Sequence, residues 1–208
     1  RNRTMMKTFS IGGIHPSDKK ISKDCQIEVL PLPSKVFVSM AQHLGAPATP
    51  VVKAGDAVKT GQVIAEPAGF ISAYVHSPVS GTVKSVGPRK DLAGNNMVHV
   101  EIDVEGDEWA EGIDLSDDIV TAIPEDNKEI LDKIKMNGVV GLGGATFPTH
   151  VKLCPPPGKK ADCLILNGAE CEPYLTSDYR IMLERSKEIV IGAAIMKQVL
   201  GGCPAVIG

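Results

Sequence analysis

Aromatic residues are scarce in this 208-residue chain, at 4%. Reading nucleic acid by base stacking needs aromatic platforms. A net charge of −3 gives no global attraction to phosphate backbones either, so a nucleic-acid partner is excluded. The five cysteines (Cys25, Cys154, Cys163, Cys171, Cys203) contain no C-x-x-C pair. Their odd number and wide spacing exclude a disulfide framework or zinc finger and fit a reducing, cytosolic setting. No run approaches the ~20 apolar residues of a membrane span, and Lys7, Ser10 and Gly12 break up any signal peptide near the start. Arg1 to Thr4 precede Met5-Met6 and read as a remnant ahead of the natural start. Positive charge is missing from Glu101 to Asp118, which holds nine acids and no Lys or Arg. Removing those nine from 25 acids leaves 16 against 22 bases elsewhere. The acidic run reads as a solvated strand edge and linker, with a docking surface for a basic partner as the alternative.

Hydrophobic residues at 43% and charged residues at 23% are ordinary for a globular chain of one large or two small domains. From Cys25 to Val104 the pattern is short β-prone runs between turns. Expected strands are Ile27-Glu-Val-Leu30, Val51-Val-Lys53, Gln62-Val-Ile-Ala65, Ile71-Ser-Ala-Tyr-Val75, Gly81-Thr-Val-Lys-Ser-Val86 and Met97 to Val104. The last alternates apolar and polar residues as a half-buried strand does. Ala54-Gly55-Asp56, Pro67-Ala-Gly69, Ser77-Pro78 and Ala93-Gly94-Asn95-Asn96 supply the turns. Many short strands with frequent turns predict a small barrel or sandwich.

After a linker at Gly112–Thr121 the pattern changes. A helix is expected from Pro124 or Glu125 to Met136, with Ile130 and Ile134 on one face and Gly138 as its stop. Asp162-Cys-Leu-Ile-Leu-Asn167 is a buried-type strand, Asp178–Leu200 one long amphipathic helix, and Ala205-Val-Ile207 a further strand. Strand, helix, strand makes a βαβ unit.

Two loops in this half carry the chemistry. The first is Gly138-Val-Val-Gly141-Leu-Gly143-Gly144-Ala-Thr-Phe147-Pro148-Thr149-His-Val-Lys152. Glycines let backbone approach a ligand closely, and Pro-Thr before Lys152 predicts a helix start whose N–H groups favour an anion. The second, Asn167-Gly168-Ala-Glu170-Cys-Glu172-Pro173-Tyr174, ends an apolar run, where open α/β sheets hold ligands. Together they point to a phosphate-bearing cofactor across strand ends. Two standard motifs fail. A P-loop would need Lys-Ser/Thr where Gly144-Ala145 stand, and a dinucleotide fingerprint would need a third glycine where Thr146 stands. A tight turn is the plain alternative for the glycines, as is helix capping for Glu170 and Glu172. Phe147 packs either at a ring or in the core. The five histidines (His15, His43, His76, His99, His150) are dispersed and read as surface or turn residues. Cys171 reads as a small hydrophobe.

Val52-Lys-Ala-Gly55-Asp56-Ala-Val-Lys-Thr-Gly61-Gln62, followed by Ser77-Pro78-Val-Ser-Gly81-Thr-Val83, resembles the biotinyl/lipoyl carrier domains. Their modified lysine would stand about seven residues before Ser77. Phe70 is there instead, and no lysine lies between Lys59 and Lys84. The β domain is therefore expected to be an unmodified relative.

The two loops resemble those of the flavin-binding subunit of respiratory complex I, G-R-G-G-A-G-F-P-T-G-x-K-W and N-A-D-E-S-E-P. Leu142, Thr146 and Ala169 depart from that pattern. They agree instead with the C subunit of the Rnf electron-transport complex, which the chain resembles from Lys7 to Gly208. The opening Phe9-Ser-Ile-Gly12-Gly13-Ile14-His15-Pro16 belongs to the likeness.

The resemblance implies an α+β two-domain chain. It would comprise an N-terminal extension (1–24), a barrel-sandwich-hybrid β domain (25–110), an acidic linker (111–123) and the N-terminal part of a Rossmann-like FMN/NADH-binding domain (124–208). It implies FMN at Gly141, Gly143, Gly144, Lys152 and Asn167, with Glu170 and Glu172 toward ribityl or nicotinamide-ribose hydroxyls. No side chain is expected to be catalytic, because the flavin carries the electrons. NADH is the implied substrate, and electrons pass to or from ferredoxin through iron–sulfur centres. The partners are the other subunits of an ion-pumping complex, with this chain peripheral on the cytoplasmic face of the bacterial inner membrane. The chain reads as the N-terminal half of such a subunit. The two [4Fe–4S] clusters and the rest of the flavin pocket are expected in a further segment, so the chain alone should bind FMN weakly and catalyse nothing. A scaffold module of a membrane redox complex is the alternative.

Overall fold

A computed structural model describes residues 16–91 and 93–208. Of the opening motif only Pro16 is among them. The first half is built from two antiparallel sheets. One runs in the order β1 (Lys35–Ser39), β7 (Asn96–Gly106), β6 (Ser80–Lys90), β3 (Ala57–Val58). The other runs β2 (Thr49–Pro50), β4 (Val63–Glu66), β5 (Val75–His76). Alternation along β7 places Val100 and Ile102 inward, opposite Val38 and Val36 of β1. With Met40, Ile64 and Val83 they form one apolar core. Gly81 of β6 has φ +159°, and a Cβ there would lie 2.1 Å from the Asp103 carbonyl oxygen of β7. Only glycine fits at this bulged crossing of the two long strands.

Several expected elements move. Residues 27–30 form no strand and are exposed, because Pro31 and Pro33 interrupt the run and no neighbour pairs with it. Residues 51–53 form no strand, the pairing falling on β2 just before them, and of the strand expected at 71–75 only Val75 lies in β5. β1 was not foreseen, although Val36 and Val38 alternate inward as a half-buried strand requires.

The second half begins at α1 (Asn127–Met136). Asp126 caps it by accepting the Lys128 N–H at 2.8 Å, and Ile130 is buried on its inner face. The single turn α2 (Thr149–Lys152) follows the glycine loop. β8 (Leu164–Leu166) pairs in parallel with β9 (Ala205–Ile207), the βαβ arrangement expected. β8 is not buried: Ile165 is 67% exposed, since β9 is its one strand partner in the described residues. The expected single helix is two, α3 (Ser177–Glu184) and α4 (Ser186–Val199), broken at Arg185 with φ −128° and ψ 31°. α3 is held by residues 23 and 27, α4 by α1 and the Pro124 carbonyl, so the two segments answer to different partners. Gly201 and Gly202, both at positive φ, end α4.

Candidate functional site

The glycine loop is a narrow hairpin with an irregular tip. At its base Val140 bridges Pro148, the Gly141 N–H donates to Phe147 O at 3.0 Å, and the Thr149 N–H donates to Val139 O at 3.0 Å. Residues 142–146 form the tip, closed by the Thr146 N–H on Gly143 O at 3.1 Å. Thr146 has φ +46°, the one non-glycine in the left-handed region among the described residues. Its carbonyl accepts the Leu44 N–H of the β domain at 3.3 Å, so a contact from outside the loop fixes the strained residue.

This corrects the expectation of an anion-binding helix start. α2 is one turn long, and the N–H groups of Thr149, Val151 and Lys152 are spent on the carbonyls of Val139 and Pro148, which leaves that of His150 alone at the helix start. The cation is supplied by the Lys152 side chain instead. Its Nζ lies over Gly141, 2.6 Å from where a Cβ on that glycine would stand. Gly143 and Gly144 face open space: added Cβ atoms would meet nothing within 4 Å.

The second loop leaves the end of β8. Its root is fixed by the Gly168 N–H on the Gly208 carbonyl at 2.7 Å. Asn167 Oδ1 accepts the Ala169 N–H at 3.1 Å, which leaves the side-chain NH2 as the group offered outward. The two carboxylates are placed differently. Glu170 Oε1 accepts the Tyr179 N–H at 3.0 Å and Oε2 lies 3.5 Å from Ser177 Oγ, so Glu170 caps α3. Burial, and secondarily the Glu170 carboxylate, raises the pKa of nearby Asp178. Glu172 is exposed, and its carbonyl accepts the Leu175 N–H at 3.3 Å.

The glycine hairpin and Asn167, the first residue of the second loop, share one cavity of about 980 Å³ between the hairpin, β8 and the end of α4; Gly144 and Glu172 do not line it. Gly141, Gly143, Lys152 and Asn167 line it; Glu170 lines a separate cavity behind the second loop. Lys159 and Lys160, which sequence reading passed over, also line the larger cavity. Their signal was a Pro-Gly turn delivering two lysines just ahead of β8.

Histidines gather where the hairpin meets the β domain. Gly138, at φ +63°, sits where a Cβ would fall 2.4 Å from Tyr74 O and 3.4 Å from the His76 ring. His43 accepts the Ala73 N–H on Nε2 at 3.1 Å, and its Nδ1 lies 3.2 Å from Leu44 O. Burial lowers the pKa of His150, with smaller contributions from Lys135 and His43. Burial likewise lowers that of His76, against a hydrogen bond to the Met136 backbone. His43 is buried and His76 and His150 are half-buried at this junction, so these three are not surface residues.

Residues 7–107 match the family described as the RnfC barrel sandwich hybrid domain, and residues 134–208 match the Nuo51 FMN-binding domain. The C subunit of the proton-translocating ferredoxin:NAD(+) oxidoreductase complex of Clostridium ljungdahlii is 47% identical over 206 residues, covering 98% of this chain and 44% of that protein. The C subunit of the Na(+)-translocating ferredoxin:NAD(+) oxidoreductase complex of Acetobacterium woodii is 43% identical over 192 residues, covering 91% and 43%. The C subunit of the ion-translocating oxidoreductase complex of Rhodobacter capsulatus is 42% identical over 202 residues, covering 94% and 38%. The chain thus spans less than half the length of these relatives. This chain thus carries, in order, matches to the RnfC barrel sandwich hybrid domain and the Nuo51 FMN-binding domain, and along nearly its whole length it is similar to the C subunits of ion-translocating oxidoreductase complexes.

Proposed function

We propose that this chain is the flavin-loop portion of a subunit that passes electrons between NADH and ferredoxin within an ion-translocating membrane complex. The observation that carries the reading is the shared cavity: segments separated in sequence contribute Gly141, Gly143, Lys152 and Asn167 to its lining. The residues fit FMN. The volume lies at the upper end of small-molecule sites, Gly143 and Gly144 leave space against bare backbone, and Lys152 supplies a cation.

When bound, FMN would take a hydride from a nicotinamide and release the electrons singly. The chain's own residues bind and orient. Lys152 would hold the phosphate or the ring edge where negative charge develops, a charge-assisted contact worth about 1.5–3 kcal/mol. The Asn167 NH2 donates to ribityl or ring oxygens. Gly141, Gly143 and Gly144 admit the ligand against backbone. The Glu172 carboxylate would repel a phosphate and suit a hydroxyl group, whereas Glu170, on the separate cavity behind the loop, holds α3.

The finer architecture follows the same reading. Residues 1–24 form an extension, 25–110 an unmodified carrier-like β domain, 111–123 a linker and 124–208 a Rossmann-like unit. The parallel pairing of β8 with β9 supports the last. Phe70, 81% exposed in the segment between β4 and β5, offers no amine for a carried group. Among the described residues no helix is long and apolar enough to cross a membrane. The reading therefore attaches the protein to the cytoplasmic face through its partners in the complex, and puts the two [4Fe–4S] clusters in the further length its relatives have.

The test uses the full-length protein. Wild-type protein reconstituted with FMN should be yellow, and Lys152→Ala and Asn167→Ala should each bind FMN about tenfold or more weakly in a fluorescence titration. A full-length protein that stays colourless and retains no flavin would overturn the reading in favour of a scaffold.

A further inference from the structure

Residues 16–30 form no strand or helix, and most are exposed, yet they lie across the second half of the chain. Lys20 and Ser22 are the half-buried positions in this run. Lys20 Nζ donates to the carbonyls of Glu172 at 3.3 Å and Leu175 at 2.7 Å. Ser22 Oγ and Thr176 Oγ1 are 2.8 Å apart. Further along, the Lys23 carbonyl accepts Arg180 Nη1 at 3.0 Å, and the Ile27 N–H meets the Glu184 carboxylate at 3.1 and 3.2 Å. The segment is a strap over the second loop and α3.

The loop needs such a fastening. Residues 171 and 172 are exposed and have no core to pack into. Its root is held by Gly168 on Gly208 and its middle by Glu170 on α3. Its far end is held by Lys20, from more than 150 residues away. Behind the loop lies a cavity of about 430 Å³ bounded by Lys20, Glu170, Thr176 and Met182. Without the lysine the loop has room to fall back into that space, away from the cavity that Asn167 lines.

We propose that Lys20 is a positioning residue for the cofactor loop: by tying the Glu172 and Leu175 carbonyls, it holds Asn167 against the larger cavity. This rests on the FMN reading of that cavity. Lys20 touches no ligand. It acts through the loop, and Ser22 assists it at Thr176.

The experiment uses the full-length protein with Lys20→Met, which keeps the apolar stem and removes the charge, and Lys20→Arg, which keeps the donors. Two readouts are taken. The first is backbone hydrogen exchange across residues 168–176 in flavin-free protein. Lys20→Met should speed exchange there about tenfold while leaving the β domain unchanged, and Lys20→Arg should restore it to within about threefold of wild type. The second is FMN affinity, expected to fall about tenfold in Lys20→Met with a melting temperature close to wild type, and to recover in Lys20→Arg. Unchanged loop exchange in Lys20→Met overturns the strap. Faster exchange with unchanged FMN affinity overturns its link to the cofactor. If wild-type protein binds no FMN, the cofactor reading fails by itself and the exchange comparison still decides the strap.

Discussion

At the scale of single residues, the glycines of the first loop separate into those the fold needs and those a ligand needs. Gly138 belongs to the fold. Its φ of +63° and the Tyr74 carbonyl 2.4 Å from an added Cβ both oppose a side chain. Gly138→Ala should lower stability by about 2 kcal/mol or more in denaturant unfolding, and FMN binding would fall only because the hairpin base shifts. On the FMN reading, Gly143 serves the ligand. Nothing lies within 4 Å of its added Cβ and its φ is not left-handed, so Gly143→Ala should leave unfolding within about 1 kcal/mol of wild type. The same methyl would project into space reserved for the cofactor, so FMN affinity in the full-length protein should drop about tenfold or more. Gly141 is intermediate. A Cβ there meets the flexible end of Lys152 at 2.6 Å, so Gly141→Ala should displace the ammonium and reproduce the flavin loss of Lys152→Ala with little change in stability. A Gly143→Ala protein that binds flavin normally would mean that this bare backbone does not touch the ligand.

At the scale of elements, β6 and β7 were legible because long alternating runs leave one face for the core. Strands of two residues, such as β2, β3 and β5, carry no period to read and are fixed by their neighbours. Residues 27–30 show the converse: apolar composition suggested a strand, but the segment serves as a strap edge that pairs with no sheet. The helix from 178 to 200 looked continuous because both halves have amphipathic spacing; the break at Arg185 arises from contacts with residues far away in sequence. The site was legible to a similar degree. Gly141, Gly143, Lys152 and Asn167 sit in local motifs and meet at one cavity, whereas Lys20 reaches its loop only through the tertiary fold, and Glu170 had two chemically sensible roles of which the structure displays the cap. Element packing also sets the largest stability effects. Met40 is fully buried where β1 leaves its sheet, amid Ile64, Val83 and Ile102. Met40→Ala should cost about 2–5 kcal/mol in chemical unfolding. A cost below about 1 kcal/mol would mean that the two sheets close over the gap.

At the scale of the whole molecule, the β domain and the glycine hairpin meet at a partly buried histidine interface, and this makes their union dependent on pH. Burial holds His150 below the usual histidine range, helped by Lys135 and His43, and holds His76 below it despite the Met136 hydrogen bond. In the unfolded chain both imidazoles return to about pKa 6.5. Between the lowered folded values and that figure the unfolded state binds more protons, so stability rises with pH. The histidine contribution is complete above about pH 6.5 and is lost as pH falls through the folded values. The carboxylates held below their usual range, Glu101 by Lys35 and Glu184 by Arg180, act in the same direction but only at more acidic pH. Asp178, raised by burial, acts in the opposite sense there. A melting curve between about pH 7.5 and 5.5 therefore isolates the histidines. The melting temperature should fall across that window, and the fall should shrink in a His76→Gln/His150→Gln double variant, whose amides cannot be charged. Loosening at the hairpin base should also raise exchange at the Leu44 and Thr149 amides, whose acceptors are Thr146 and Val139, before the core around Ile102 responds. An equal fall in wild type and double variant would place the pH sensitivity elsewhere. Equal exchange at hairpin and core would show the two halves opening as one cooperative unit, with the histidines contributing to global stability alone.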